Sequence, residues 1–187
     1  MKVAVFLAKG FEETEAVATI DVLRRAGIEV ITVSVSENVK VESTHSMTIC
    51  ADLLFEEVDF SQTDMIVLPG GMPGTLNLDK HDGLKSEILD FNEKGKYIAA
   101  ICAAPLILGK LGILDGREAT CFPGYENNLI GAKLSTKGVV VDNNIITGCA
   151  VACVFDFALK LVKILAGQDV ADAVAEKMLL SEKGSCA

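Results

Sequence analysis

Apolar residues recur along this chain with two different periods, and the switching between them predicts the elements. Residues 2–7, KVAVFL, are a short β-branched run that stops at Lys9-Gly10. From 12 to 26 the apolar positions 16, 17, 20, 23 and 26 follow helical spacing. Gly27 ends that helix, and 28–35, rich in Val, Ile and Thr, reads as a second strand. Strand, helix and strand in this order make a βαβ unit with a right-handed crossover. Residues 38–52 read as a small hairpin or excursion, and 65–68 as a buried strand closed by Pro69-Gly70-Gly71-Met72-Pro73-Gly74. A broken helix is expected over 76–93.

The uncharged run 97–101, YIAAI, fits a strand buried on both faces. It delivers Cys102 to a tight turn, with Pro105 where a first helical turn tolerates a missing amide and an apolar helix ending near Gly112. Shorter strands are expected at 118–122, 139–141 and 145–147, the last two joined by a turn at Asp142-Asn143-Asn144. Helices over 155–165 and 170–180 close the pattern, and the tail 181–187 reads as loose, with Cys186 an exposed thiol. Alternating strands and helices without a linker or repeat predict one α/β domain over 1–187, a doubly wound, mostly parallel sheet between two helical layers.

Half of the 187 residues are hydrophobic, enough for one full core. The formal charge of −9, without a Lys/Arg cluster, disfavours nucleic acid and anionic membranes as partners. The opening apolar stretch is too short for a signal sequence and runs into acidic GFEETEA, and the longest apolar run, 97–108, falls short of a bilayer span. Six cysteines without a CxxC pair, and no histidine at metal-ligand spacing, offer no metal site and fit reduced thiols in a cytoplasmic protein.

In such sheets ligands bind beyond the carboxyl ends of the strands, where residues 8–15, 69–75 and 102–105 are expected to meet. A cysteine at a strand-to-helix turn sits near free amides and a helix N-terminus, which favour thiolate and so nucleophilic or redox chemistry. The same cysteine also fits a buried packing role. Gly70 and Gly71 would let backbone amides approach a ligand, and with the amide of Ala103 could form an oxyanion hole, or could simply make a Gly-rich turn. Glu12, Glu13 and Glu15 suit the start of a helix, and most such carboxylates only decorate it; Glu15, one turn in, can point toward Cys102. The two histidines, His45 and His81, both precede Cys102, so a nucleophile with a downstream histidine base is absent. If Cys102 reacts, a carboxylate must handle protons.

AKGFEETEA (8–16), VLPGGMPG (67–74) and AAICAAP (99–105) resemble the three signature segments of the ThiJ/PfpI family, in its DJ-one branch, and DVLRRAGI (21–28) and FDFALKLV (155–162) extend the likeness over nearly all of the chain. The resemblance implies a flavodoxin-like sandwich, a homodimer and a cofactor-free site. In that site Cys102 is the nucleophile, Glu15 the protonated carboxyl beside it, and Gly71 and Ala103 the amide donors. It implies action on small reactive dicarbonyls such as methylglyoxal, of glyoxalase or deglycase type, with redox sensing or a chaperone-like role as the alternative. Where relatives carry His-Pro near the pocket, this chain reads Cys121-Phe122-Pro123. Where they carry a Gly-Pro-rich turn it reads Gly148-Cys149-Ala150-Val151-Ala152-Cys153, which makes Phe122, Cys121, Cys149 and Cys153 candidate pocket-wall residues. Cys149 and Cys153 stand four apart, as small core residues or as resolving thiols for Cys102. By the same likeness His45 falls near a basic residue that reaches the neighbouring subunit's pocket, and Cys50 near the dimer interface.

Overall fold

Seven strands hydrogen-bond into one sheet in the computed structural model, which describes residues 1–180. The tail 181–187, and with it the expectation for Cys186, lies outside the described residues. In chain order the elements are β1 (Lys2–Leu7), α1 (Glu13–Arg25), β2 (Glu29–Ser34), β3 (Lys40–Glu42), β4 (Thr48–Cys50), β5 (Leu53–Leu54), β6 (Met65–Leu68), α2 (Gly74–Asp79), α3 (Asp82–Glu93) and β7 (Tyr97–Ile101). They continue with α4 (Pro105–Lys110), β8 (Glu118–Ala119), β9 (Lys133–Leu134), β10 (Val139–Asp142), β11 (Ile145–Gly148), α5 (Val154–Ala166) and α6 (Gln168–Lys177).

The main sheet runs β10-β11-β7-β6-β1-β2-β5, and every pairing is parallel except β10 with β11 at one edge. Side chains alternate across it. Val3, Val5, Leu7, Met65, Val67, Ala99, Ile101 and Ile146 join the core that α1, α5 and α6 cover. Their neighbours Ala4, Phe6, Ile66, Leu68, Ile98, Ala100 and Ile145 join the core under α3 and α4. A strand apolar at every position is stable only between two helical layers, and each fully buried Val, Leu or Phe contributes about 1.5–3 kcal/mol. The expected doubly wound, flavodoxin-like architecture is therefore the observed one.

The hairpin expected over 38–52 is β3 with β4, tied to the start of α1 by Thr44 N–H donating to the Phe11 carbonyl at 2.8 Å. The broken helix is α2 and α3, beginning at Gly74 rather than 76 because Gly74 packs on the turn after β1 and donates to the Gly10 carbonyl at 2.9 Å. The strand expected over 118–122 shrinks to β8. Its next backbone donors are taken elsewhere: Thr120 N–H by Thr147 Oγ1 at 3.0 Å and Phe122 N–H by the Cys102 carbonyl at 2.7 Å. The last helix ends at Lys177 instead of 180, where Leu179 turns into left-handed backbone. Among the described residues no helix is long and apolar enough to cross a membrane.

Candidate active site

The order β2-β1-β6-β7 places the loops after β1, β6 and β7 side by side at the carboxyl edge, where the sheet's winding direction reverses. The loops are stitched to one another by backbone. Glu12 N–H donates to the Gly70 carbonyl at 2.9 Å, and Gly70 N–H donates in return to Glu15 Oε2 at 2.8 Å. Glu12 also caps α1, its Oε2 accepting from Glu15 N–H at 2.6 Å. The first turn of α1 therefore turns the Glu15 side chain inward over the sheet edge.

Glu15 is 1 % exposed, and Glu13 6 %, so two of the three carboxylates at this helix start are buried rather than decorative. Glu15 Oε1 is buried with no conventional hydrogen-bond partner. What stands beside it is the Cys102 thiol, coupled to the carboxyl through both hydrogen bonding and charge. Burial, opposed by the Gly70 amide and the thiol and reinforced by the charge of Glu12, raises Glu15 to about 7. An ionised carboxylate with one oxygen orphaned in the interior is costly, whereas a carboxylic acid directing its O–H at sulfur is not.

Cys102 follows β7 directly and adopts φ 63°, a left-handed conformation uncommon for a side-chain-bearing residue. Its N–H donates to the Gly148 carbonyl at 2.9 Å and its own carbonyl accepts from Phe122, so the strained turn is held from both sides. The helix does not begin at the cysteine: Ala104 caps α4, which starts at Pro105 and runs only six residues. The sulfur is accordingly served by the Gly71 and Ala103 amides, which lower its pKa, and little by a helix dipole. Against them burial, followed by the Glu15 charge, pushes the thiol up to about 12. Burial thus outweighs the two amides at the sulfur, and two acids in one buried site share a single negative charge.

A small pocket of about 150 Å³ opens at the sulfur, lined by Gly71, Met72, Cys102, Ala103, Phe122 and Tyr125. Gly70 lies just behind it. A Cβ there would stand 2.6 Å from Cys102 Cβ and 2.8 Å from Glu15 Oε2, so only glycine lets cysteine and acid meet. Phe122, 42 % exposed, forms one wall. Of the other candidate wall residues, Cys121, Cys149 and Cys153 do not line this pocket. Cys121 is buried in the core under α4, Cys153 faces Cys149 with their sulfurs 3.4 Å apart, and His45 is bound 2.7 Å from Glu13 on the surface of its own chain. His45 assists in ionising Glu13: burial opposes the charge, but a backbone amide, Ser43 and His45 together carry its pKa below the usual value. Glu12, Glu13 and His45 also bring one potential ligand atom each to within 4.8 Å, a proximity that residue spacing did not disclose. Met72 and Tyr125 went unnoticed in the sequence; the first lies within the Gly-rich signature, while the second sits in an irregular loop with no periodic signal. His81 has a structural task, capping α3 through Nδ1 and packing on Phe55 at 4.4 Å.

Comparison with known proteins gives this arrangement its kin. The model of the DJ-1/PfpI family matches residues 1–164. Protein dj-1beta of Drosophila melanogaster is 36 % identical over 180 residues, 95 % of this chain and 96 % of that protein. A protein named as a deglycase from Pyrococcus abyssi is 33 % identical over 168 residues, 88 % of this chain and 99 % of that one. The chain spans less than half of the length of the Arabidopsis thaliana DJ-1 homologs A and B, 45 % and 41 %, with which it shares 37 % and 35 % identity over 93 % and 96 % of its own length. Among solved structures, a cysteine-to-alanine mutant of a DJ-1 superfamily protein from Salmonella typhimurium superposes with TM-score 0.91 at 37 % identity, covering 95 % of this chain and 97 % of that one. Oxidised Toxoplasma gondii DJ-1 superposes equally well, TM-score 0.91 at 35 % identity with the same coverage. With the family model spanning most of its length and relatives aligned almost end to end, this chain belongs to the DJ-1/PfpI family.

Proposed function

We propose that the Cys102–Glu15 pair is a cofactor-free catalytic site for small reactive dicarbonyls, converting methylglyoxal to lactate or acting on its adducts as a deglycase. The observation that carries this reading is a buried carboxyl, oriented by the Gly70 amide, set against a sulfur on a strained turn that also receives the Gly71 and Ala103 amides. In the reactive arrangement the pair's one negative charge lies on sulfur and the proton on Glu15. The Cys102 thiolate adds to the aldehyde carbon, and the carbonyl oxygen, drawn toward the amides, takes the Glu15 proton to give a hemithioacetal. Glu15, now ionised, removes the hydrogen from that carbon and returns it to the adjacent one, leaving a thioester of lactate. Water hydrolyses the thioester, releasing lactate and restoring the thiol, so methylglyoxal plus water equals lactic acid. The 150 Å³ pocket corresponds to about five waters of liquid volume, a size suited to a three-carbon dicarbonyl. The chain is proposed to work as a homodimer.

A second reading is favoured by the apolar wall at Phe122, which offers the substrate no side-chain donor: Cys102 serves as a peroxide-oxidised sensor without useful turnover. The oxidised state of the Toxoplasma relative is in keeping with it. Methylglyoxal consumption with stoichiometric lactate formation, measured on wild type, Cys102→Ala and Glu15→Gln, tests the first reading. The cysteine variant should fall to the uncatalysed rate and the glutamine variant by about 10²- to 10⁴-fold. Wild type that forms no lactate but gains oxygen atoms on Cys102 under peroxide would leave only the sensor.

A further inference from the structure

Cys149 and Cys153 take no part in the chemistry above, yet their sulfurs lie 3.4 Å apart, in direct contact. Cys149 follows the last residue of β11, and Cys153 is the residue on which α5 begins. Each is held by backbone: Cys149 N–H donates to the Gly138 carbonyl at 2.8 Å, and Cys153 N–H to the Ala150 carbonyl at 3.0 Å. The Cys153 thiol reaches two carbonyls, Ala150 at 3.0 Å and Gly138 at 3.1 Å, while the Ala150 N–H points back at its sulfur from 3.4 Å and offers a donor to a thiolate. Cys153 is 8 % exposed and Cys149 half-buried, so Cys149 is the more accessible of the two. Only Ala150, Val151 and Ala152 separate them in sequence, with Ala150 extended and a single 3-10 turn over 151–153, and a disulfide would draw the sulfurs in to about 2.05 Å.

We propose that Cys149 and Cys153 form a second redox centre, independent of Cys102, which closes to a disulfide by exchange with a low-molecular-weight disulfide. The Cys149 thiolate attacks one sulfur of oxidised glutathione, forming a mixed disulfide and expelling one glutathione thiolate, which takes up the proton Cys149 gave. The Cys153 thiolate then attacks the Cys149 sulfur, breaking the mixed disulfide and releasing the second glutathione. In sum two protein thiols and one glutathione disulfide become one protein disulfide and two glutathione thiols. Contact between the sulfurs makes the second step intramolecular, which is the condition under which a dithiol closes instead of staying glutathionylated. The centre adjoins the nucleophile's turn, since the residue before Cys149 is Gly148, whose carbonyl holds the Cys102 amide.

The sequence supplies a direct test. Lys137 and Lys160 bound a tryptic segment, 138–160, that contains Cys149 and Cys153 and no other cysteine. Whole protein equilibrated in glutathione buffers of graded ratio, quenched with N-ethylmaleimide, digested and weighed should yield this segment unlabelled and about 2 Da lighter under oxidising ratios, and doubly labelled under reducing ones. The same disulfide should form in Cys102→Ala. Cys153→Ser should lose it and keep glutathione on Cys149. Two labels on the segment from wild type at the most oxidising ratio would overturn the proposal, as would stable glutathione on wild-type Cys149. A crosslink from this segment to the peptide carrying Cys102, or loss of the disulfide in Cys102→Ala, would overturn the independence of the centre.

Discussion

At Glu15 function and stability pull in opposite directions, and the pull has a sign. Burial raises its folded pKa to about 7 from an ordinary value near 4.5, so between those values the native state holds a proton that the unfolded chain has released. The favourable contribution is complete below about 4.5 and is lost as pH rises through about 7. Glu15→Gln, which cannot ionise, should be more stable than wild type at pH 8 by up to about 3 kcal/mol, with the gap closing toward pH 4.5. Urea unfolding of both proteins across that range checks it; equal midpoints at pH 8 would mean that the carboxyl is not buried as drawn. The same variant probes the sulfur. Cys102 is pushed up to about 12 by burial and then by its charged neighbour, so removing that neighbour should move the inflection for iodoacetamide alkylation below 12. In wild type, alkylation should instead gain its first increment as the shared charge appears, near pH 7.

At the scale of elements, the site depends on how closely two loops approach. A methyl group at Gly70 would strike Cys102 Cβ and Glu15 Oε2, so Gly70→Ala should cut Cys102-dependent turnover at least tenfold and lower stability by about 1–3 kcal/mol. Parallel measurement of turnover and unfolding midpoint decides it, and a variant with wild-type turnover would remove Gly70 from its spacing role. The sequence disclosed this much because β6, β7 and all of β1 past Lys2 are apolar and α1 is periodic, leaving their intervening loops as the places where chemistry can collect. It did not disclose that Cys121 turns into the core, because the backbone of 120–122 is diverted to hydrogen-bond β11 and the Cys102 turn. Nor did it show that burial outweighs the amides at the sulfur. Both are consequences of three-dimensional neighbours, to which residue spacing is blind. The pairing of Cys149 with Cys153 was half visible: four-residue spacing suggested one helix face, whereas the actual contact arises from an extended Ala150 followed by a short turn.

The β3–β4 hairpin stands off the main sheet, exposes Met47 and Cys50, and is tied through Phe11 to the start of α1, where Val17 is also exposed. Apolar exposure next to the carboxyl-edge loops is what a self-association surface near the site would present. If the proposed homodimer places this hairpin on its two-fold axis, sedimentation should give about 40 kDa, twice the chain mass of 19.8 kDa, and a short bismaleimide should join two chains through Cys50. Each chain carries a formal charge of −9, so two copies repel at long range, and raising salt from about 0.01 M to 0.15 M should tighten the dimer by shortening the screening length from about 30 to 8 Å. Cys50→Ser should abolish the crosslink while leaving the sedimenting mass unchanged, because the cysteine reports on the interface and does not hold it. A species of about 20 kDa at micromolar concentration and moderate salt would refute the assembly, and a dimer crosslinked elsewhere would move its axis off the hairpin.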